Sequence, residues 1–199
     1  AGVVLLNAMR FTSLQVHPAP AAPVPVDRAA LVRLQEVITY RTVSSGSMQD
    51  SASAPFRRVM EFLKTSFSET HRTLNMDTSG FSGVLYTWAG TGSRLKPLLL
   101  TGHLDVVPAV NAGEWKYPPF SGAMDSGFLY GRGSLDDKCG VMGILESVEM
   151  LLKSGFRPAR TIYLAFGFDE ETGGLHGAAG IAAYLKSRKI FPESVLDEG

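Results

Sequence analysis

Four short stretches of the chain concentrate the side chains that could bind a cation or move a proton. "LLLTGHLDVVP" carries His103 and Asp105 two residues apart, "GSLDDK" carries Asp136 and Asp137, "FDEET" carries Asp169, Glu170 and Glu171, and "VLDEG" carries Asp197 and Glu198. Imidazole nitrogen and carboxylate oxygen are the donors that a borderline divalent cation such as zinc accepts. A carboxylate held off the metal can take a proton from a hydrolytic water. Each stretch alone has a plainer account: a structural histidine at a strand end, an aspartate capping a helix, an acidic pair in a solvated loop. What favours a shared site is that all four lie where an apolar run ends.

The elements that must deliver these residues follow from the hydrophobic pattern. Residues 83–88 ("GVLYTW"), 96–102 ("KPLLLTG") and 161–168 ("TIYLAFGF") are apolar runs bounded by turn formers, the pattern of strands covered on both faces. Between the last two, Val141, Ile144, Leu145, Val148, Leu151 and Leu152 share one helical stripe that begins near Asp137 and stops at Gly155. Strand, helix and strand make a βαβ crossover. Two earlier stripes, Leu31, Leu34 and Ile38 within 27–40 and Phe56, Val59, Met60 and Leu63 within 55–67, predict covering helices. The expected class is therefore α/β, a mostly parallel twisted sheet flanked by helices. In such sheets ligands bind outside the carboxyl ends of the strands. There "KPLLLTG" leads into His103, "FLYGRGSL" into Asp136, "TIYLAFGF" into Glu170 and "ESVL" into Asp197.

Composition narrows the alternatives. The 199 residues are 45% hydrophobic, enough for a sizeable core, and 19 Lys+Arg balance 19 Asp+Glu. With no net charge, no basic run and no interleaved aromatic stripe, nucleic acid is not an expected partner. "GRGSLDD" lacks the spacing that cradles phosphates and puts acids where a pyrophosphate would rest, which excludes a nucleotide-binding loop. The single cysteine, Cys139, rules out a thiolate metal cage and an internal disulfide framework, and no histidine adjoins it in sequence to activate it.

"TGHLDVVP", "GRGSLDDKCGVM", "FGFDEETGG" and "VLDEG", in this order, resemble the co-catalytic zinc metallopeptidase family of aminoacylases, carboxypeptidase G and dipeptidases. Within it the chain is most similar to the branch of Gly-X carboxypeptidases (vacuolar carboxypeptidase S) and N-fatty-acyl-amino-acid synthase/hydrolases. The resemblance implies two zinc ions per site with His103, Asp136, Glu171 and Asp197 as ligands, Asp136 bridging the pair. It implies Asp105 as the carboxylate that orients His103, and Glu170 as general base. For the last carboxylate the branch favours Asp197 whereas aminoacylases point to Glu198; a one-residue shift in register turns the side chain to the opposite strand face. The peptide after the bridging aspartate, Asp136–Asp137, is expected to be cis. One further ligand of the family, a late histidine, has no counterpart after His176, which fits a Gly-rich loop better than a metal shell.

The implied activity is hydrolysis of an amide next to a free carboxylate, in a small peptide or an N-acyl amino acid. The competing class is a catalytically silent, membrane-tethered relative acting as a binding or structural protein. Residues 1–26, an apolar stub followed by an Ala/Pro/Val tract, are expected to be an anchor or signal remnant and a stiff linker, implying a membrane-anchored, secretory or vacuolar location. Residues 27–199 are expected to be the amino-terminal part of a catalytic domain whose lid domain lies outside this sequence. "GEWKYPPFSG", 113–122, is expected to be a proline-stiffened loop that packs Trp115 and Phe120 on the domain.

Overall fold

The computed structural model describes residues 2–12, 19–20, 26–92 and 94–198. The greater part of the expected Pro-rich linker lies outside the described residues. The sheet is built from β1 (Asn75–Asp77), β2 (Gly83–Trp88), β3 (Leu98–His103), β6 (Ile162–Gly167) and β7 (Ser194–Leu196), in the order β1-β2-β6-β3-β7. The class is α/β with helices on both faces, and the three strands nearest the candidate ligands, β6, β3 and β7, run parallel. The sheet as a whole is mixed, because β2 pairs antiparallel with both β1 and β6. β6 inserts between β2 and β3, which are adjacent in sequence. An apolar run covered on both faces looks the same in either direction, so the sequence pattern carried no sign of this.

Register separates the two faces. Val84, Tyr86 and Trp88 of β2 lie opposite Phe166, Leu164 and Ile162 of β6, and the first five of these are buried in the larger core. Over that core pack α2 (Arg28–Thr39), α3 (Ala54–Ser66) and α5 (Lys138–Lys153). Leu85, Tyr163 and Ala165 alternate to the other face, where Ile181 and Leu185 of α6 (Ala178–Ser187) cover them. α5 is the expected crossover: Val141, Leu145 and Val148 are buried, Ile144, Leu151 and Leu152 pack beside them, and the helix ends ahead of Gly155 at φ +77°. Asp27 caps α2 by accepting the Ala29 N–H. At the other end of α2, the buried Lys138 Nζ donates to the carbonyls of Val37 (3.0 Å) and Tyr40 (2.6 Å), which also accept the Tyr40 and Thr42 N–H groups. Burial pushes this ammonium down to about 7, against the opposing charge of Asp105.

One correction concerns Asp136. "FLYGRGSL" is not a strand of the main sheet. Phe128–Tyr130 is β5, paired only with β4 (Ala123–Asp125) in a two-stranded ribbon, and residues 131–137 are a run of turns. The Asp136–Asp137 peptide is cis, as expected. The 113–122 loop packs under cations: Arg132 lies over Trp115 and Arg41 over Phe120.

The short helix α4 (Ser68–Thr73) has Phe67 at its N-cap, which offers no side-chain cap. Glu149 of α5 supplies it instead, accepting the N–H groups of Glu69 (3.1 Å) and Thr70 (2.9 Å) and the Thr70 hydroxyl (2.9 Å). Burial alone would raise the pKa of Glu149, but these donors and Lys153 outweigh it and hold it below the usual value. A depressed carboxyl contributes stability above its unfolded pKa and loses it as pH falls through the folded value. Glu149→Gln is therefore expected to cost about 2 kcal/mol near neutral pH. The penalty should shrink in acid, which urea midpoints measured across pH 3–7 would show.

Candidate metal centre

The site is assembled at the carboxyl ends of β3 and β6. His103 is the last residue of β3, and its backbone N–H reaches Asp137 Oδ2 at 3.3 Å. Its buried ring faces Asp105 on one side: Nδ1 lies 2.9 Å from the Asp105 carbonyl and 3.3 Å from its Oδ1. Both partners are acceptors, so Nδ1 carries the proton and Nε2 presents its lone pair in the neutral ring. Nε2 points at carboxylates: Asp136 Oδ1 at 2.8 Å, Glu198 Oε2 at 3.4 Å and Glu170 Oε2 at 3.8 Å.

Asp105 is fully buried and does more than face the histidine. Its Oδ1 accepts the Glu170 N–H at 3.1 Å; its Oδ2 accepts the Glu171 N–H at 3.1 Å and the Ser44 hydroxyl at 2.7 Å. One carboxylate thus ties the His103 strand end to the turn of residues Glu170–Thr172 that follows β6. Asp169, next to that turn, points inward and accepts the N–H groups of His176 and Gly177, both at 2.8 Å. His176 therefore belongs to the loop, as expected. The Cys139 thiol donates to the Leu135 carbonyl, and burial followed by the charge of Asp137 pushes its pKa up, so it is no activated nucleophile.

Two overlapping donor sets result, His103 with Asp136 and Glu171, and His103 with Glu170 and Glu198, each with its ligand atoms within 4.8 Å of one another. Among the described residues no lysine or arginine pairs with any of these four carboxylates. Burial, then the charge of Asp136, raises the pKa of Glu171. Burial likewise raises Glu198, against His103 and with help from Asp137, Asp136 and Glu170. Burial disfavours the His103 imidazolium, yet Asp105, Asp136 and Glu198 outweigh it and push the ring up to about 10. Carboxylates crowded around one imidazole without a counter-cation, in a neutral-nitrogen and oxygen donor set, fit a divalent metal.

Of the residues singled out in the sequence, His103, Asp105, Asp136, Glu170 and Glu171 come together. Asp197 lines the same cleft of about 350 Å³ beside Glu198, but its Oδ1 accepts the Glu198 N–H at 3.0 Å and it joins neither donor set. Ser44 is the site residue that the sequence does not distinguish. Ser44 sits in the polar tract "TVSSGS", where nothing distinguishes it from a loop serine.

A sheet covered by helices on both faces, with an imidazole and carboxylates at the ends of its parallel strands, is an α/β domain built like the catalytic domains of metallopeptidases. Human carnosine dipeptidase 1 has this fold, matching 85% of this chain and 38% of its own with a TM-score of 0.67 at 18% identity. Residues 99–198 match peptidase family M20/M25/M40, and the chain belongs to that family. "Probable carboxypeptidase S-like 2" of Dictyostelium discoideum is 42% identical over 99% of this chain, and N-fatty-acyl-amino acid synthase/hydrolase PM20D1.1 of Danio rerio is 50% identical over 58% of it. The chain spans 40% and 22% of the lengths of these two relatives.

Proposed function

We propose that the full-length protein is a zinc-dependent hydrolase that cleaves an amide bond next to a free carboxylate, in a small peptide or an N-acyl amino acid. The observation that carries this reading is the convergence of Asp136, Glu170, Glu171 and Glu198 on His103 Nε2 without a cationic side chain among them. The names of the relatives, a carboxypeptidase S-like protein and an N-fatty-acyl-amino acid hydrolase, agree with both substrate classes. His103, Asp136 and Glu171 would hold metal, with Asp136 as the shared carboxylate and Asp197 or Glu198 as the remaining acidic ligand. When bound, zinc supplies polarisation of the amide carbonyl and acidification of water. Glu170, half-exposed at the cleft, takes the proton from the attacking water and delivers it to the leaving amine. Asp105 fixes the His103 tautomer. The presence of Glu170 among the carboxylates facing His103 weighs against a silent relative.

Among the described residues no helix is long and apolar enough to cross a membrane. α1 (Gly2–Met9) does expose Val3, Val4, Leu5, Leu6 and Met9. We extend the proposal to a membrane-proximal location on the strength of that apolar helix.

The test is turnover by the full-length protein of a panel of N-acyl amino acids and dipeptides, before and after chelation and after zinc is restored. Turnover of at least one class, lost on chelation and recovered with zinc, is expected; turnover indifferent to exhaustive chelation overturns the reading. Asp197→Ala and Glu198→Ala in the same assay, with bound zinc counted, decide which of the two is the ligand.

A further inference from the structure

A segment remote in sequence from all four motifs runs along the floor of the site. After α2 ends, residues 40–46 lie beside residues 104–106 as a rudimentary parallel strand. Thr42 Oγ1 donates to the Leu104 carbonyl at 2.6 Å, the Val106 N–H donates to the Thr42 carbonyl at 3.0 Å, and Val43 bridges Val106. The upstream end is pinned by Lys138 on the Tyr40 carbonyl. Downstream, Ser45 is held by Asp50 through its N–H (2.7 Å) and hydroxyl (2.9 Å). Gly46, at φ +77°, lies so close to the Glu170–Thr172 turn that a Cβ there would come within 3.2 Å of Thr172 Oγ1.

Between these anchors Ser44 donates its hydroxyl to Asp105 Oδ2, the oxygen that also accepts the Glu171 N–H. The Asp105 carboxylate has two jobs that compete for its orientation: Oδ1 faces His103 and the Glu170 N–H, and Oδ2 must stay on the Glu171 N–H. The Ser44 hydroxyl, a second and independent donor on Oδ2, opposes rotation about the carboxyl bond.

We propose that Ser44 is a positioning residue of the metal centre, locking the Asp105 carboxylate so that His103 Nε2 and the Glu171 side chain present a preformed donor set. It acts through Asp105 and touches neither metal nor substrate. The role rests on the metal-centre reading above. It predicts an effect on metal affinity before any on stability, because a partly exposed hydroxyl contributes little to the fold while the outer partners that orient metal ligands, here through Asp105, are worth about 10- to 100-fold in affinity.

The experiment measures zinc affinity by chelator competition on the full-length protein and its Ser44→Ala, Ser44→Thr and Ser45→Ala variants, with urea midpoints for each. Ser44→Ala is expected to bind zinc about 10-fold or more weakly at an unchanged urea midpoint. Ser44→Thr, which keeps the hydroxyl, should recover the loss. Ser45→Ala, which loosens the same segment through Asp50 without touching Asp105, should bind as the parent does. Equal affinity in Ser44→Ala and the parent overturns the role, as does a Ser44→Thr chain as weak as Ser44→Ala, or a Ser45→Ala chain as weak. An affinity loss that merely tracks a lowered midpoint does the same. A parent chain that takes up no zinc removes the metal-centre reading itself, a result distinct from the others.

Discussion

Glu170→Gln in the full-length protein is expected to keep its zinc and lose turnover by about 10²- to 10⁴-fold, the contribution of a positioned general base. Glu170 also joins His103 and Glu198 in one donor set, so zinc retained in this variant is the result that separates a base from a ligand. The backbone of Glu170 is held by its N–H on Asp105 Oδ1, so the replacement side chain starts from the same place. Its side chain is half-exposed, which limits any cost in stability to about 0.5 kcal/mol. An amide has the size of the carboxylate and can still accept a hydrogen bond, but it does not take up a proton. Glu171→Gln is the contrasting case. Glu171 shares a donor set with His103 and Asp136, and its Oε1 is fixed at 3.3 Å by the Val107 N–H, so weakening this donor should lower zinc content together with turnover. Elemental analysis beside steady-state rates separates the two. Zinc lost from Glu170→Gln in step with its activity would reverse the assigned roles.

How much of this could be read from residue order depends on the range of the interaction. The βαβ unit of β3, α5 and β6 was legible because one apolar stripe and two apolar runs each lie within about 16 residues and need no distant partner to make sense. The convergence of His103, Asp105, Glu170 and Glu171 followed from the same unit, since parallel neighbours place their carboxyl ends at one rim. What was not legible is what distant residues decide. α4 is invisible locally because its cap, Glu149, comes from another helix. α6 shows only Ile181 and Leu185 as buried anchors in an Ala- and Gly-rich stretch, too few to mark a face. Asp136 was placed on a strand because "FLY" is apolar, whereas the run of turns after β5 carries it to the rim from outside the sheet. Between Asp197 and Glu198, adjacent residues of one type, only the direction of each side chain in space separates the candidates, and that is set by how the end of the chain meets β3.

Asp105→Asn should be the most damaging single exchange at the site for the fold as well as for metal binding. The buried carboxylate accepts from the Glu170 N–H, the Glu171 N–H and the Ser44 hydroxyl while facing His103 Nδ1. An asparagine keeps the shape and one acceptor oxygen, but its NH₂ must face a donor, either the Glu170 N–H and His103 or the Glu171 N–H and Ser44. Each arrangement leaves buried donors unpaired, at a cost of about 3 kcal/mol. Metal affinity should fall by about 10- to 100-fold, because the histidine loses the carboxylate charge facing Nδ1, keeping only the residue-105 carbonyl there, and the Glu171 backbone loses its tether. The pH response gives a separate signature in the metal-free protein. A histidine raised to about 10 contributes stability that is fully present below its unfolded value and is lost as pH rises through the folded value. The metal-free parent should therefore weaken between about pH 6.5 and 10, and Asp105→Asn, which removes the largest opposing partner to burial, should flatten that slope. Urea midpoints of the two metal-free chains over this range decide the matter: parallel slopes would mean that His103 draws its proton affinity from Asp136 and Glu198 rather than from Asp105.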